Sequence, residues 1–235
     1  MVLDDQVWLI TGSSGIGAAT ARLAAVSGAK VFVCGLDEND NRQLAAECGG
    51  GYHTGDLSIT AQAETAVAGA SGRKYGDGPH HLISDEGWAR TFDINLKTMF
   101  LMSRAVLRRM MARERGAILN MATVTAYSPE PKNFATHAYA AAKGAAIAMT
   151  RSAAAYYAPH GIRISAIAPG LVRTPMSLRA QTDERILELM KTKQPLSGSL
   201  LDPDDIARAA VFLLGPSAQM ITGQVLGVDG GWDVS

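Results

Sequence analysis

A short apolar run, Val7 to Ile10, passes directly into TGSSGIG, and a helical pattern follows from Ile16 to about Ser27. This order of strand, glycine-rich turn and helix constrains the fold more than any other stretch of the chain. Glycines let a backbone turn tightly at a strand end and approach a ligand closely. The amino terminus of the next helix then offers free N–H groups and a positive dipole end to an anion such as pyrophosphate. A glycine string alone is a weak signal; its place between strand and helix makes the nucleotide reading the stronger one. No Lys-Ser/Thr pair follows the glycines, which disfavours a P-loop. The serines do not sit in G-x-S-x-G, which disfavours a nucleophile elbow.

The remaining pattern alternates in the same way. A second apolar run covers Val31 to Cys34, a helix Asn41 to Glu47, and a weaker third strand YHTGDL ends near Asp56. Helices are predicted over 60–70, 85–113 without a break, and 138–157. GAILNMA (116–122), IRISAIAPG and GQVLGVDGG read as strands. TDERILELMKTK reads as a helix after a loop, and DPDDIARAAVFLLG as a helix with Asp204 and Asp205 in its first turn, where the dipole favours acid. Alternating strands and helices predict βαβ units and a parallel sheet covered by helices. No repeat or linker divides the chain, so residues 1–235 read as one domain.

Composition narrows the partners. The apolar content of 47% and charged content of 19% suit a globule with a large core. Formal net charge is zero, against nucleic acid or an anionic membrane surface as main partner. No run reaches the ~18 apolar residues of a membrane span. Cys34 and Cys48 form neither a C-x-x-C pair nor a disulfide framework, and the amino terminus lacks a signal pattern. A reducing, cytoplasmic setting is therefore expected. The five histidines are scattered without ligand spacing, so no metal site is expected.

HAYAAAKGAA, His137 to Ala146, is a smooth helix former carrying one phenol and one ammonium at i and i+4, Tyr139 and Lys143. On one helix face the ammonium stabilises phenolate, lowering a pKa that is ~10 for a free phenol. Taken alone, the stretch fits equally a packed tyrosine and a solvated lysine.

The stretches TGSSGIG, FDINLKTMFLMSRAV, GAILNMATVTA, YAAAK, IAPGLVRTP and ITGQVLGVDGG fall in one order over nearly the whole chain. Together they resemble the short-chain dehydrogenase/reductase family. The resemblance implies a Rossmann-type doubly wound parallel sheet and an NAD(P)-dependent oxidoreductase. Such an enzyme interconverts a secondary alcohol and a ketone by hydride transfer. It implies acid/base work by Tyr139 of Y-x-x-x-K, with Lys143 as its tuner and a ribose ligand. It places Thr123 where the family usually has serine, with Thr125 as a lesser substitute. Asn95 takes the place of the asparagine that bends the long helix and supports a proton relay. Cofactor contacts implied are Gly12, Ser14, Gly15, Ile16 and Gly17 in the turn, Asp56 and Leu57 at the adenine, and Pro169, Gly170, Val172 and Thr174 at the nicotinamide. A lid near 174–198 and a homotetramer or dimer are also implied, with a small-molecule alcohol or ketone as substrate. NAD is favoured over NADP through Asp37, since no basic residue sits in the turn.

Two departures stand out. The turn is one residue shorter than T-G-x-x-x-G-x-G between Gly12 and Gly15. The N-N-A-G segment and the apolar strand leading into it are missing, for SGRKYGDGPHHLIS (71–84) holds no four-residue apolar run. In the family that strand lies beside the first, at the centre of the sheet. Losing it damages the cofactor site and favours the alternative reading, a non-catalytic dinucleotide-binding sensor or structural relative. The preferred account is that the written chain joins residues that are not neighbours, because an unpaired sheet centre is so unfavourable. Trans spacing of ~3.8 Å through Val67–Lys74 and Thr11–Gly17 tests that account.

Overall fold

The computed structural model describes residues 3, 4, 6–56 and 77–235. The expected helix at 60–70, the junction Val67–Lys74 and Leu57 lie outside the described residues.

β1 (Val7–Thr11) runs parallel to β2 (Lys30–Gly35), and β2 to β3 (Gly51–Thr54), with Ile10 opposite Val33 and Val33 opposite Tyr52. β4 (Gly116–Met121), β5 (Ile162–Pro169) and β6 (Val225–Val228) form a second parallel set, with Leu119 opposite Ser165. The doubly wound sheet is therefore built as two three-stranded halves, β1-β2-β3 and β4-β5-β6. Among the described residues no strand pairs with the second edge of β1 or of β4.

Along β1 the two faces differ in exposure among the described residues. A central strand of a doubly wound fold is buried on both faces. Trp8 and Ile10 are buried, but Val7 is 74% and Leu9 40% exposed.

The two halves are tied by α1 (Gly15–Val26) and α8 (Pro203–Leu214), which pack on each other. Val211 of α8 joins the core of Trp8, Ile10, Val33 and Leu44. Ile16 of α1 packs against the core of Ile167, Val172 and Leu213. α2 (Glu38–Glu47) covers β2 and β3. The apolar patterning read from the chain thus reappears as interlocked cores.

The helix expected over 85–113 consists of three pieces. α3 (Asp85–Phe92) is capped by Ser84, whose side chain accepts from the N–H of Gly87. A π-helical turn, Asp93–Lys97, follows, and α4 (Thr98–Met111) completes the run. Polar side chains explain the interruption. Thr91 Oγ1 donates to Gly87 O at 2.7 Å, Asn95 Nδ2 to Thr91 O at 2.9 Å, and Thr98 Oγ1 to Asp93 O at 2.9 Å. Such back-bonding competes with the regular i→i−4 ladder.

α5 (His137–Tyr157) is the alanine-rich helix, and Ala138, Ala142, Ala146 and Ala154 are its buried contacts. Small side chains let it lie closely on β5, against which it packs. After β5 come two further helices, α6 (Leu178–Thr182) and α7 (Glu184–Lys193). α8 opens with Pro203 at its first position and a reciprocal Asp202–Asp205 capping box.

Candidate active site

The glycine-rich turn closes where β1 ends. Gly12 has φ +95°, a conformation glycine adopts at little cost, and its N–H donates to Cys34 O at 2.8 Å. Ala18 N–H already bonds back to Ser14 O, so Thr11–Gly17 runs as an ordinary strand-to-helix turn. A Cβ on Gly17 would stand 2.2 Å from Gly12 O, so only glycine lets α1 approach the turn this closely. The Ser14 side chain makes no capping bond, and no acid lies in the first turn of α1. Its amino-terminal N–H groups therefore suit an anion.

The loop after β5 rests on this turn. A Cβ on Gly15 would meet Thr174 Cγ2 at 2.9 Å. Gly12–Gly17 from one half of the sheet and Pro169–Thr174 from the other thus meet at the carboxyl ends of the strands, where open α/β sheets bind ligands. Gly170 N–H donates to Val228 O at 3.1 Å, and Val172 is buried beside Leu201. Thr174 N–H donates to Ser177 Oγ at 3.0 Å.

One residue that sequence reasoning missed organises this loop. Gln194, fully buried, accepts from Leu171 N–H at 2.5 Å and donates to Leu171 O at 3.3 Å and Ser199 O at 2.7 Å. Its only signal was an amide at the end of an amphipathic helix, which reads as a solvated helix end.

At the end of β2, Asp37 caps α2: its Oδ1 accepts from Asn39 N–H at 2.9 Å and Asp40 N–H at 3.0 Å. Asn41, also unanticipated, is buried and donates to Gly35 O at 2.9 Å and Thr54 Oγ1 at 2.9 Å. A side chain on Gly35 would meet Asn41 Oδ1 at 2.2 Å, which keeps that position free of an acid. Glu38 accepts from Thr54 Oγ1 at 2.6 Å and Tyr52 OH at 2.8 Å, and these bonds hold its carboxyl below the usual range. Asp56 stands 3.9 Å from Arg90 of α3.

Tyr139 and Lys143 share one face of α5, with Lys143 Nζ 5.7 Å from the centre of the Tyr139 ring. The lysine is buried, and desolvation brings its pKa down to about 8. Its Nζ donates to Met121 O at 2.8 Å, at the last residue of β4. Thr123 follows two residues on. It is buried, accepts from Thr125 N–H at 3.4 Å, and its Oγ1 lies 3.1 Å from Thr125 Oγ1. Asn95 is buried in the π-turn, which packs against α5. Its Nδ2 is turned to its own helix. Among the described residues no three His, Cys, Asp or Glu side chains converge as metal ligands, and no helix is long and apolar enough to cross a membrane.

Known proteins resemble this chain over nearly its whole length. The family model described as enoyl-(acyl carrier protein) reductase matches residues 10–233. A galactitol 2-dehydrogenase (L-tagatose-forming) of Cereibacter sphaeroides is 33% identical over 247 residues, covering 99% of this chain and 96% of its own. That alignment is longer than the 235-residue chain, so the relative carries residues missing here. The 3-ketoacyl-(acyl-carrier-protein) reductase of Brucella melitensis, solved with NADH, superposes with a TM-score of 0.87 at 30% identity over 99% of this chain and 100% of that one. An actinorhodin polyketide ketoreductase variant with NADPH gives a TM-score of 0.87 at 26% identity, each chain covered fully. Glycine cradle, Tyr139–Lys143 face and these likenesses converge: the chain belongs to the short-chain dehydrogenase/reductase family and is an NAD(P)-dependent oxidoreductase acting on CH–OH groups.

Proposed function

We propose that this enzyme interconverts a secondary alcohol and a ketone with Tyr139 as the group that gives and takes the proton. The observation that carries the reading is the buried ammonium of Lys143 held 5.7 Å from the Tyr139 ring. A cation so placed, in a desolvated setting, favours phenolate and makes the phenol a usable acid and base near neutrality. Lys143 remains charged below its pKa of about 8, and its bond to Met121 O keeps the ammonium at the strand end. Thr123 supplies a hydroxyl to the substrate oxygen, and Asn95 supports the proton path from the π-turn.

The nicotinamide, when bound, supplies or accepts the hydride. Gly12, Ser14, Gly15, Ile16 and Gly17 would hold its pyrophosphate, and Asp37, Asp56 and Leu57 its adenosine half. Pro169, Gly170, Val172 and Thr174 would hold the nicotinamide end, with Tyr139 and Lys143 at the ribose. NAD is favoured over NADP, since no basic side chain lies in TGSSGIG and Asp37 commits only Oδ1 to its cap. The chain acts as one domain, 1–235, with residues 174–198 as a lid over a small alcohol, in a cytoplasmic homotetramer or dimer. The polyol relative supports a small hydroxylated substrate.

A second reading, a dinucleotide-binding sensor without turnover, is favoured by the unpaired edges of β1 and β4 among the described residues. Mixing the protein with NAD(H) and NADP(H) against a panel of polyols, cyclic alcohols and ketones separates the two. Turnover with NAD(H) is expected. Nucleotide binding with no turnover on any compound would establish the sensor instead.

A further inference from the structure

Helix α5 lacks a cap of its own. The Thr136 side chain, just before its first turn, makes no capping hydrogen bond. The opening N–H groups are taken up by a segment far upstream. Asp77 Oδ1 accepts from Ala138 N–H at 3.1 Å, and Asp77 Oδ2 from Tyr139 N–H at 2.9 Å. Gly78 O accepts from His137 N–H at 3.4 Å. Three successive amides of the helix start are thus bonded to two adjacent residues of another segment.

Side chains tether the same segment. His80 Nδ1 lies 2.6 Å from His137 Nδ1. The His80 ring meets Trp88 of α3 edge-on, with centroids 6.3 Å apart. The Asp77 contact therefore belongs to a docked loop joined to α3, not to an isolated surface pair.

We propose that Asp77 is a positioning residue for Tyr139: its carboxylate, seated on the amide of that residue and of the one before it, fixes where the phenol stands relative to Lys143 and Thr123. The physical need is local. Tyr139 lies in the first turn, and helix ends fray unless their N–H groups are satisfied. A carboxylate accepting from two N–H groups makes charge-assisted bonds and complements the dipole at that end. Displacement of a catalytic group by ~1 Å costs ~100-fold in rate. The inference rests on the assignment of Tyr139 as acid and base.

The test combines Asp77→Ala and Asp77→Asn, each alone and with Tyr139→Phe, in the full chain. The first readout needs no substrate: amide hydrogen exchange at Ala138 and Tyr139 should quicken about tenfold in Asp77→Ala. Unchanged exchange would overturn the cap. The second is turnover of a compound found active in the panel. Asp77→Ala should lower kcat about tenfold with KM for the nucleotide within about twofold. Asp77→Asn, keeping one acceptor, should fall between. In the Tyr139→Phe background the Asp77 change should add no further loss. An equal loss in both backgrounds, or a parallel loss of NADH binding, would show general damage and overturn the positioning role. Wild-type turnover by Tyr139→Phe alone would defeat the assignment of the tyrosine, while the exchange result still decides the cap. Should Asp77→Ala not fold, Asp77→Asn carries both readouts.

Discussion

Lys143 reaches from α5 to the end of β4, where its Nζ donates to the carbonyl of Met121 at 2.8 Å. One hydrogen bond therefore joins α5 to the strand that leads into Thr123. It also buries a cation that would be better hydrated outside.

That burial has a stability consequence with a definite sign. The folded pKa of Lys143, about 8, lies below its ordinary value of 10.5. Between these values the unfolded chain binds more protons, so stability rises with pH across that window, and the penalty is complete below pH ~8. Its size is about 3 kcal/mol, of which the bond to Met121 offsets a part. Lys143→Met should therefore be more stable than wild type at pH 7, by about 1–3 kcal/mol, and inactive. Urea unfolding at several pH values should show the advantage shrinking as pH rises. A variant less stable at pH 7 contradicts the burial cost.

The glycine turn makes a sharper steric prediction. A methyl on Gly17 would sit 2.2 Å from Gly12 O, whereas one on Gly144 meets nothing within 4 Å. Gly17→Ala should weaken NAD(H) binding at least tenfold, read by fluorescence of the reduced nucleotide. Gly144→Ala should leave binding alone and raise stability by about 0.5–1 kcal/mol, since glycine is a poor mid-helix residue. Equal effects of the two changes would remove the cradle argument.

Legibility differed between local and remote features. Strand–turn–helix punctuation and the i, i+4 pair Tyr139/Lys143 are local, and both can be read from spacing. The absence of an apolar run just before residue 85 was also visible, and among the described residues no strand pairs with the second edge of β1. Gln194, Asn41 and Asp77 were not visible. Each bonds backbone groups on segments distant in the chain or supplied by another element, and a lone polar residue carries no mark of such a partner. The π-turn was hidden for a related reason: Thr91, Asn95 and Thr98 are ordinary helix residues until their side chains are seen bonding back to carbonyls.

Gln194 should prove essential to the loop it fills. Gln194→Ala leaves Leu171 N–H without its acceptor, whereas Leu171 O keeps Leu201 N–H and Ser199 O keeps Ser197 Oγ. Buried backbone groups without partners cost about 1–3 kcal/mol each, and water entering the space recovers a part. A loss of about 1–3 kcal/mol in thermal or urea unfolding is expected, with a raised KM for the nucleotide. A change below about 0.5 kcal/mol would mean that the loop is held by other contacts.

Thr123 is tested by its two conservative neighbours. Thr123→Ser keeps the hydroxyl and should retain kcat within about threefold. Thr123→Ala removes it and should lower kcat about 100-fold, in line with loss of one donor to a reacting oxygen. If the alanine variant matches wild type, the substrate oxygen is held elsewhere.

The most direct measurement is turnover by Tyr139→Phe, with nucleotide affinity measured on the same preparation. Loss of the phenolic oxygen should lower kcat/KM about 1,000-fold or more, while the Kd for NAD(H) rises by no more than about tenfold, the cost of one ribose contact. Turnover within tenfold of wild type, with binding intact, would contradict the account.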